Sequence, residues 1–215
     1  NISKLSVSLD ILKQLGTVFR NNDWKVTAVV DHEENRSDIA TARLINLLPD
    51  HVEEDSPLWG MAIDIGTTTV SVWLVNLVNG EIAAQMSEYN AQIGRGEDVI
   101  SRIIFSNKGN GREEMQRLVL SSINDLLSTA CTKTGITPEQ IVKATVAGNS
   151  TMIHLLLGLP AQSIRLSPFI TAVNHIPLQR AKDVGINIHP EASVDCLPGV
   201  ASYVGADITA GVLAS

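Results

Sequence analysis

The sequence predicts an α/β protein with a mixed sheet, made of a small first unit and a larger second one. Three strand-like runs rich in β-branched residues follow one another between residues 59 and 89. A long amphipathic helical pattern over 113–134 then leads into a further strand at 141–147. Strands and helices that alternate in this way are typical of α/β domains.

The first unit, residues 1–57, combines one helix with two strands. The helix is predicted from apolar residues at helical spacing, namely Leu5, Leu9, Leu12, Leu15 and Phe19. Strands follow at 24–30 and 42–48, and the polar stretch between them is expected to be a solvated loop. Residues 49–57 are acidic and flanked by prolines, which is typical of a linker. No convergent polar cluster marks a site here, so a docking or spacer role is expected.

The second unit, residues 58–215, begins with three strands that are joined by a glycine-threonine turn and by a tight turn at Asn79-Gly80. These strands are predicted at 59–65, 70–78 and 82–89. Further helices are predicted at 98–106, 113–134, 151–157 and 201–214, and further strands at 141–147 and 193–197, with 160–189 rich in loops. Because the chain stops within a helical pattern, we expect it to be part of a longer protein, with this unit truncated.

Composition is that of a globular protein and argues against several functions. Of 215 residues, 44% are hydrophobic and 18% are charged, and the net charge is −7. Nucleic acid is not an expected partner, because phosphate backbones need clustered Lys and Arg. No apolar run approaches the ~20 residues that span a bilayer. Cys131 and Cys196 form no C-x-x-C pair, so we expect core thiols in a cytoplasmic protein, without zinc or a disulfide.

The most informative segment is the D-I-G-T-T-T turn after the first strand of the second unit. Gly66 lacks a Cβ and lets the backbone approach an anion closely, while the amides and hydroxyls of Thr67, Thr68 and Thr69 supply donors. Asp64, at the strand end, is suited to hold a hydrated Mg²⁺. The turn leads into a strand, so it is neither a P-loop nor a Rossmann turn. The alternative is an ordinary hairpin with exposed threonines.

A second turn follows the strand at 141–147. Gly148 permits this turn, and Asn149 or Ser150 can cap the next helix, whose first amides would then face a ligand. Simple capping is the favoured interpretation. His154 lies among apolar residues on that helix and is assigned to the core, without a role in chemistry.

Asp207 lies in the first part of the apolar final helix. A carboxylate in that position can orient water or a metal ion near a phosphate group. It can equally do no more than complement the dipole at the helix start. The sequence favours neither interpretation over the other.

Four segments together resemble one family, the reductive activators of corrinoid proteins, which belong to the actin-like ATPase superfamily. The segments are the D-I-G-T-T-T strand and turn, and the runs at 94–103, 147–158 and 197–207. They occur in the order found in that family, and the first unit resembles the family's middle domain. The resemblance implies that residues 58–215 form the first lobe of an actin-like, ribonuclease H-like ATPase domain.

The resemblance also implies a function. Such proteins return a Co(II) corrinoid methyl-carrier protein to the Co(I) state, using ATP and electrons from an iron-sulfur cluster. By similarity, Asp64 and the Gly66 turn would line the ATP phosphates and Mg²⁺, with Gly148 and Asn149 beside the nucleotide and Asp207 facing it. Asp64 and Asp207 are therefore the candidate catalytic residues, and Asp64 is the candidate metal ligand.

The chain departs from the family's pattern in two ways. It has no cysteine cluster, so the iron-sulfur cluster is expected in the parent protein and not in this part. It also contains no second phosphate hairpin, so this part alone is expected to bind ATP weakly or not at all.

Two other functions compete with this interpretation. One is a non-catalytic module for docking and dimerisation, and the other is a small-molecule kinase of the same superfamily, for which no positioned base is visible. The apolar residues Ile208, Val212 and Leu213 of the final helix would pack under a further lobe. Exposed patches of this kind favour association, so a homo-oligomer is expected.

Overall fold

The computed structural model describes residues 2–33, 41–53, 55–202 and 205–214, with the side chains of Glu33 and Leu213 excepted. Most of the predicted loop at 31–38 therefore lies outside the described residues. The same holds for Glu54 of the predicted linker and for Tyr203 and Val204. The described part contains a three-stranded sheet in the first unit and a six-stranded sheet in the second.

The first unit contains β1 (Lys4–Ser6), α1 (Leu9–Asn21), β2 (Val26–Glu33) and β3 (Thr41–Pro49). β3 is the central strand of its sheet, parallel to β1 and antiparallel to β2. The predicted helix and two strands are thus confirmed, and β1 is an addition that helical spacing did not reveal.

Two predictions at the ends of α1 were wrong. The Ser8 hydroxyl accepts a hydrogen bond from the Ile11 amide (3.3 Å) and caps the helix, so Leu5 lies outside it and pairs with β3. Trp24 is not in a strand either. Its backbone is left-handed (φ 64°) in the turn after α1, and its ring packs against Phe19 with the centroids 5.9 Å apart.

The six-stranded sheet of the second unit is mixed, as predicted. Its strands are β4 (Trp59–Ile65), β5 (Thr69–Asn76), β6 (Ile82–Tyr89), β7 (Ile141–Gly148), β8 (Gln179–Arg180) and β9 (Ser193–Cys196), in the order β6-β5-β4-β7-β9-β8. β7 runs parallel to β4, and β9 runs parallel to β7, whereas β5 is antiparallel to both of its neighbours. The first five strands of this order have the topology of a ribonuclease H-like lobe, which confirms the predicted fold class.

Six α-helices accompany this sheet in the described residues. They are α2 (Val99–Ser106), α3 (Gly111–Thr134), α4 (Ser150–Leu156), α5 (Gln162–Arg165), α6 (Ala181–Val184) and α7 (Ala206–Leu213), with short 3-10 helices at Ala91–Arg95 and Pro138–Gln140. The apolar stripe of α3, including Met115, Val119 and Ile123, belongs to one core cluster with Ile63 and Ile65 of β4. Each such side chain stabilises the fold by about 1.5–3 kcal/mol when fully buried. Core packing therefore holds β4 at the centre of the lobe.

The structure corrects several predicted boundaries in the second unit. β5 ends at Asn76, because the Asn76 side chain accepts from the Val78 amide (3.0 Å) and draws the chain into a turn. The final helix begins at Ala206 and not at Ala201, since Gly205 is still extended. The stretch at 160–189 contains α5, β8 and α6 in addition to loops.

The two units are joined by polar contacts. Lys143 on β7 pairs with Asp31 on β2 (3.2 Å), and the Arg43 guanidinium on β3 donates to the Ser193 hydroxyl on β9 (2.6 Å). Lys143 lies two residues before Thr145 on the same strand, so both side chains project from one face of the sheet. The first unit therefore covers part of the face from which Thr145 projects.

Both cysteines are free and buried, as predicted. Burial raises the pKa of the Cys131 thiol, and it raises the pKa of Cys196 to about 12 with a contribution from the Asp195 charge. Within the described ranges, no helix is long and apolar enough to cross a membrane.

His154 is a core residue, as predicted, with both ring nitrogens in hydrogen bonds. Nδ1 donates to the Ser150 carbonyl (2.6 Å), and Nε2 accepts from the Ala172 amide (3.0 Å). This arrangement requires the neutral ring. Burial lowers the pKa of His154, against an opposing effect of the Ser150 carbonyl, and burial also lowers the pKa of His189.

The melting temperature should therefore fall as the pH drops below the ordinary histidine pKa of about 6.5. Below that value the unfolded chain binds protons that the folded chain does not, so acid favours unfolding. Thermal melts between pH 8 and pH 5 measure the effect. A His154→Gln variant should show a weaker dependence over this range, and an unchanged slope would assign the effect to His189 or to other groups.

Candidate active site

The site is built around Asp64, which lies on the central strand β4, one residue before its end. Its neighbours across the sheet are Ser71 on β5 and Ala147 on β7. The half-buried Asp64 carboxylate faces a cleft of about 340 Å³, and Asp207 of α7 lines the same cleft. The other residues that line the cleft are Ala62, Ile63, Trp73, Thr145, Ala147, Leu197 and Ala210.

The electrostatics of the cleft favour a cation. Burial raises the pKa of the Asp64 carboxyl, and the charge of Asp207 raises it further. No hydrogen bond or ion pair from the described part of the chain reaches the Asp64 carboxylate. A cation between the two carboxylates would offset both the burial of the Asp64 charge and its repulsion by Asp207. Asp207 is exposed, and one of its carboxylate oxygens accepts from the Ile208 amide (2.9 Å).

This donor set fits Mg²⁺, which takes one or two carboxylates and keeps several waters. The described residues contain no group of three or more His, Cys, Asp or Glu side chains that could hold a metal ion. Asp64 and Asp207 would therefore supply only part of the coordination shell, and water or ligand oxygens would supply the rest.

The glycine-threonine turn follows directly after β4. The Gly66 amide donates to the Thr69 carbonyl (2.9 Å), and a Cβ on residue 66 would lie 2.8 Å from that oxygen, so the turn requires glycine. Asn90 holds the turn from the other side, because its amide donates to the Thr68 carbonyl (2.8 Å) and its side chain donates to the Gly66 carbonyl (2.9 Å).

The donors of this turn remain open. The amides of Thr67 and Thr68 donate to no described residue, whereas the carbonyls of Gly66, Thr67 and Thr68 all accept hydrogen bonds. Thr67 is half-buried, and Thr68 and Thr69 are exposed. The three threonines do not line the Asp64 cleft itself and lie beyond the end of β4.

Arg102 on α2 is completely buried and also supports the turn. Its guanidinium donates to the Thr67 carbonyl, to the Gly96 carbonyl (2.9 Å) and to the Gln92 side chain (3.1 Å). Capping by Asp98, whose carboxylate accepts from the Ser101 amide (2.8 Å), fixes the start of α2. Local helix chemistry thus positions the arginine under the turn.

The second turn, after β7, contacts the first. Asn149 caps α4 by accepting from the Met152 amide (3.0 Å), which confirms the capping interpretation. Its side-chain NH₂ donates to the Thr67 hydroxyl (3.3 Å). Gly148 allows the two strands to end close together, because a Cβ there would lie 2.9 Å from the Ile65 carbonyl.

The start of α7 packs on the second turn. A Cβ on Gly205 would lie 2.4 Å from the Asn149 Cα and 2.8 Å from the Ser150 amide nitrogen. This close approach places Asp207, two residues later, at the Asp64 cleft. The structure thus brings the predicted site residues into one region, while helix-dipole complementation by Asp207 remains compatible with its exposed position.

Three residues were given no role from the sequence: Asn90 and Arg102, which hold the turn, and Gln92, which accepts a hydrogen bond from Arg102. All three are buried polar residues. Arg102 could have been noticed, because a single cation interrupts the apolar run V-I-S-R-I-I-F of α2. Asn90 and Gln92 carry no comparable signal, since isolated amides are common in loops.

Two family models match the chain. A model described as the RACo linker region matches residues 1–54, and a model described as the RACo middle region matches residues 59–215, which is most of the chain. This chain belongs to the RACo family. The models assign the word "middle" to the second unit, whereas the resemblance had implied a middle domain at 1–57.

Two relatives agree with this assignment. Corrinoid activation enzyme RamQ of Eubacterium limosum is 33% identical over 174 residues, which cover 80% of this chain and 29% of that protein. A solved structure described as a reductive activator for corrinoid,iron-sulfur protein has a TM-score of 0.85 at 39% identity, over 97% of this chain and 32% of that one. The chain thus spans about a third of each relative, and the resemblance to reductive activators of corrinoid proteins is confirmed.

Proposed function

We propose that this chain supplies the phosphate- and metal-binding part of an ATP site in a corrinoid activator. The observation that carries the proposal is the pairing of Asp64 and Asp207 across one cleft, beside a turn with open amides. A cation at the carboxylates and a phosphate group at the amides would neutralise each other's charges. ATP bound with Mg²⁺ has this combination of charges.

Each site residue then has a defined role. The amides of Thr67 and Thr68 bind phosphate oxygens, and Gly66 allows the phosphate to approach. Asp64 holds Mg²⁺ directly or through water, and Asp207 orients a water molecule near the terminal phosphate. When bound, Mg²⁺ would neutralise charge on the phosphate oxygens. Gly148 and Asn149 keep the second turn against the first.

The proposed reaction of the parent protein is the ATP-dependent return of a Co(II) corrinoid methyl-carrier protein to Co(I), with electrons from an iron-sulfur cluster elsewhere in that protein. The names of both relatives refer to corrinoid activation. Nucleotide binding would favour one arrangement of the parent protein and thereby change the surroundings of the corrinoid. We also propose a cytoplasmic location, and a division at residue 57 between a first unit and the first lobe of an actin-like ATPase domain.

A docking and dimerisation role is the second candidate. Ile208 of α7 is 51% exposed, and Val212 on the same helix is exposed as well. In the first unit, Leu9, Leu12 and Trp24 are also exposed. Apolar side chains in such positions favour contact with a further domain or another copy. Light scattering of the chain at high concentration tests self-association, and a strictly monomeric chain would contradict it.

Nucleotide titration tests the ATP site. Trp73 lines the cleft, so its fluorescence should change as MgATP binds, with a weak dissociation constant on the order of 1 mM because only part of the parent protein is present. A Trp73→Phe variant assigns the signal to the cleft. Absence of a response both in this chain and in the full-length parent protein would contradict an ATP site here.

A further inference from the structure

Arg102 has a feature that its role as a support for the turn does not explain. All of its hydrogen-bond partners are neutral: the Thr67 and Gly96 carbonyls, the Gln92 amide and the Met152 sulfur (3.2 Å). Within the described ranges, no carboxylate lies at salt-bridge distance from it. Burial lowers the pKa of Arg102, and the charge of Asp98 opposes this only from outside hydrogen-bonding distance.

A buried cation with neutral partners is unfavourable. Removing a charge from water has a large energetic cost that carbonyl groups offset only in part, and buried charges are usually paired. An arginine would remain charged even so, because its ordinary pKa lies far above neutral pH. Among the described residues, the positive charge of Arg102 beneath the glycine-threonine turn thus has no carboxylate in direct contact with it.

The direction of the hydrogen bond to residue 67 adds a second observation. The Thr67 carbonyl and the Thr68 amide belong to one planar peptide group, in which C=O and N–H point in opposite directions. Arg102 binds the oxygen end of this group, and the open Thr68 N–H is at the other end. A cation at the oxygen polarises the peptide and strengthens its N–H as a donor.

We propose that Arg102 is the counter-charge for an anion bound at the Thr68 amide, and that it makes the turn selective for a multiply charged phosphate group. The inference rests on the proposed function, because it concerns the same turn. Arg102 acts through the peptide and the field it creates, without touching the ligand, so it is a positioning residue.

Arg95 provides a matched control. It lies seven residues earlier in the chain and carries the same charge, but its guanidinium is paired with Glu114 (2.6 Å) and half of its side chain is exposed (49%). Its charge is therefore compensated and screened. Replacing it should leave anion binding at the turn unchanged.

The test measures the binding of inorganic pyrophosphate and of MgATP to the chain by calorimetry at low ionic strength. Arg102→Met should weaken pyrophosphate binding about tenfold, equivalent to 1.4 kcal/mol. Arg102→Lys keeps the charge but loses most of the hydrogen bonds to the carbonyls, so its affinity for pyrophosphate should stay within about threefold of the original value. Arg95→Met should bind as the original chain does. Equal losses for Arg102→Met and Arg102→Lys would overturn the role of the charge.

An Asp98→Asn variant keeps the test decisive if Arg102→Met fails to fold. Asn is as good a helix cap as Asp, so α2 should persist. Loss of the Asp98 charge, which acts on Arg102, should strengthen pyrophosphate binding about twofold at low salt, with the gain vanishing near 0.5 M salt. An unchanged affinity at low salt would contradict the inference.

The outcomes separate this inference from the proposed function. If the chain binds pyrophosphate with the expected dependence on Arg102 but neither the chain nor the full-length parent protein binds MgATP, the inference stands and the ATP site is wrong. If MgATP binds and the Arg102 variants have no effect, the ATP site stands and the inference is wrong. If neither ligand binds to the chain or to the full-length parent protein, both are wrong.

Discussion

Replacing Asp64 by Asn should raise the melting temperature of the unliganded chain and abolish its response to MgATP. The pKa of Asp64 is raised in the folded chain, first by burial and then by Asp207. The unfolded chain therefore releases the Asp64 proton at a lower pH than the folded chain does. As a result, the folded chain becomes less stable as the pH rises above the pKa of Asp64 in the unfolded chain and through its pKa in the folded chain. The Asp64→Asn substitution removes this destabilisation at neutral pH, and we expect the melting temperature to rise by about 1–3 °C.

The measurement is a thermal melt at pH 7 with and without MgATP. Asp195→Asn is the matched control, because Asp195 lies on the same sheet opposite Thr145 but does not line the cleft. It should leave the response to MgATP unchanged. An Asp64→Asn chain that melts lower than the original and still responds to MgATP would remove Asp64 from the site.

Gly205→Ala should destabilise the chain by about 2–3 kcal/mol, as an overpacked contact does. The added Cβ would meet main-chain atoms of Asn149 and Ser150 at 2.4 and 2.8 Å, and neither can move without displacing the second turn. The melting temperature should fall by about 4–10 °C. Displacement of α7 would also move Asp207 from the cleft, so MgATP binding should weaken in the same variant.

Gly211→Ala is the control for this substitution. Gly211 lies in the same helix, and a Cβ there would meet nothing within 4 Å. Because alanine is the better helix former, this change should stabilise the chain by about 0.5–1 kcal/mol. If both variants behaved alike, the contact between Gly205 and the second turn would have no structural role.

The regular elements of the second unit could be predicted because local signals agree with the fold. Apolar stripes and β-branched runs gave β4, α3 and β7, and Gly135 stops α3 in a left-handed conformation (φ 75°). The mistakes occur where side chains hydrogen-bond to the backbone. Ser8 starts α1 and Asn76 ends β5 at positions that hydrophobic spacing alone does not reveal.

The site was predictable only in part for a related reason. Asp64 and the glycine-threonine turn are contiguous in sequence, so their chemistry can be inferred from the residues themselves. Arg102, 35 positions after Thr67, reaches the turn only through the packing of α2. The contact between Gly205 and Asn149 likewise joins two distant segments at a distance that only glycine allows. Long-range contacts of this kind leave no periodic pattern in the sequence.

Thr67 is held from two directions, by Arg102 at its carbonyl and by Asn149 at its hydroxyl. The conformational entropy of this residue is therefore lost during folding and not when a ligand arrives. Ordering a mobile side chain on binding costs about 0.5–1.5 kcal/mol. For Thr67 this cost belongs to the free energy of folding and not to the free energy of binding. An anion that bound at the turn, as proposed above, would therefore encounter donors that are already in place, and few direct contacts would be needed to retain it.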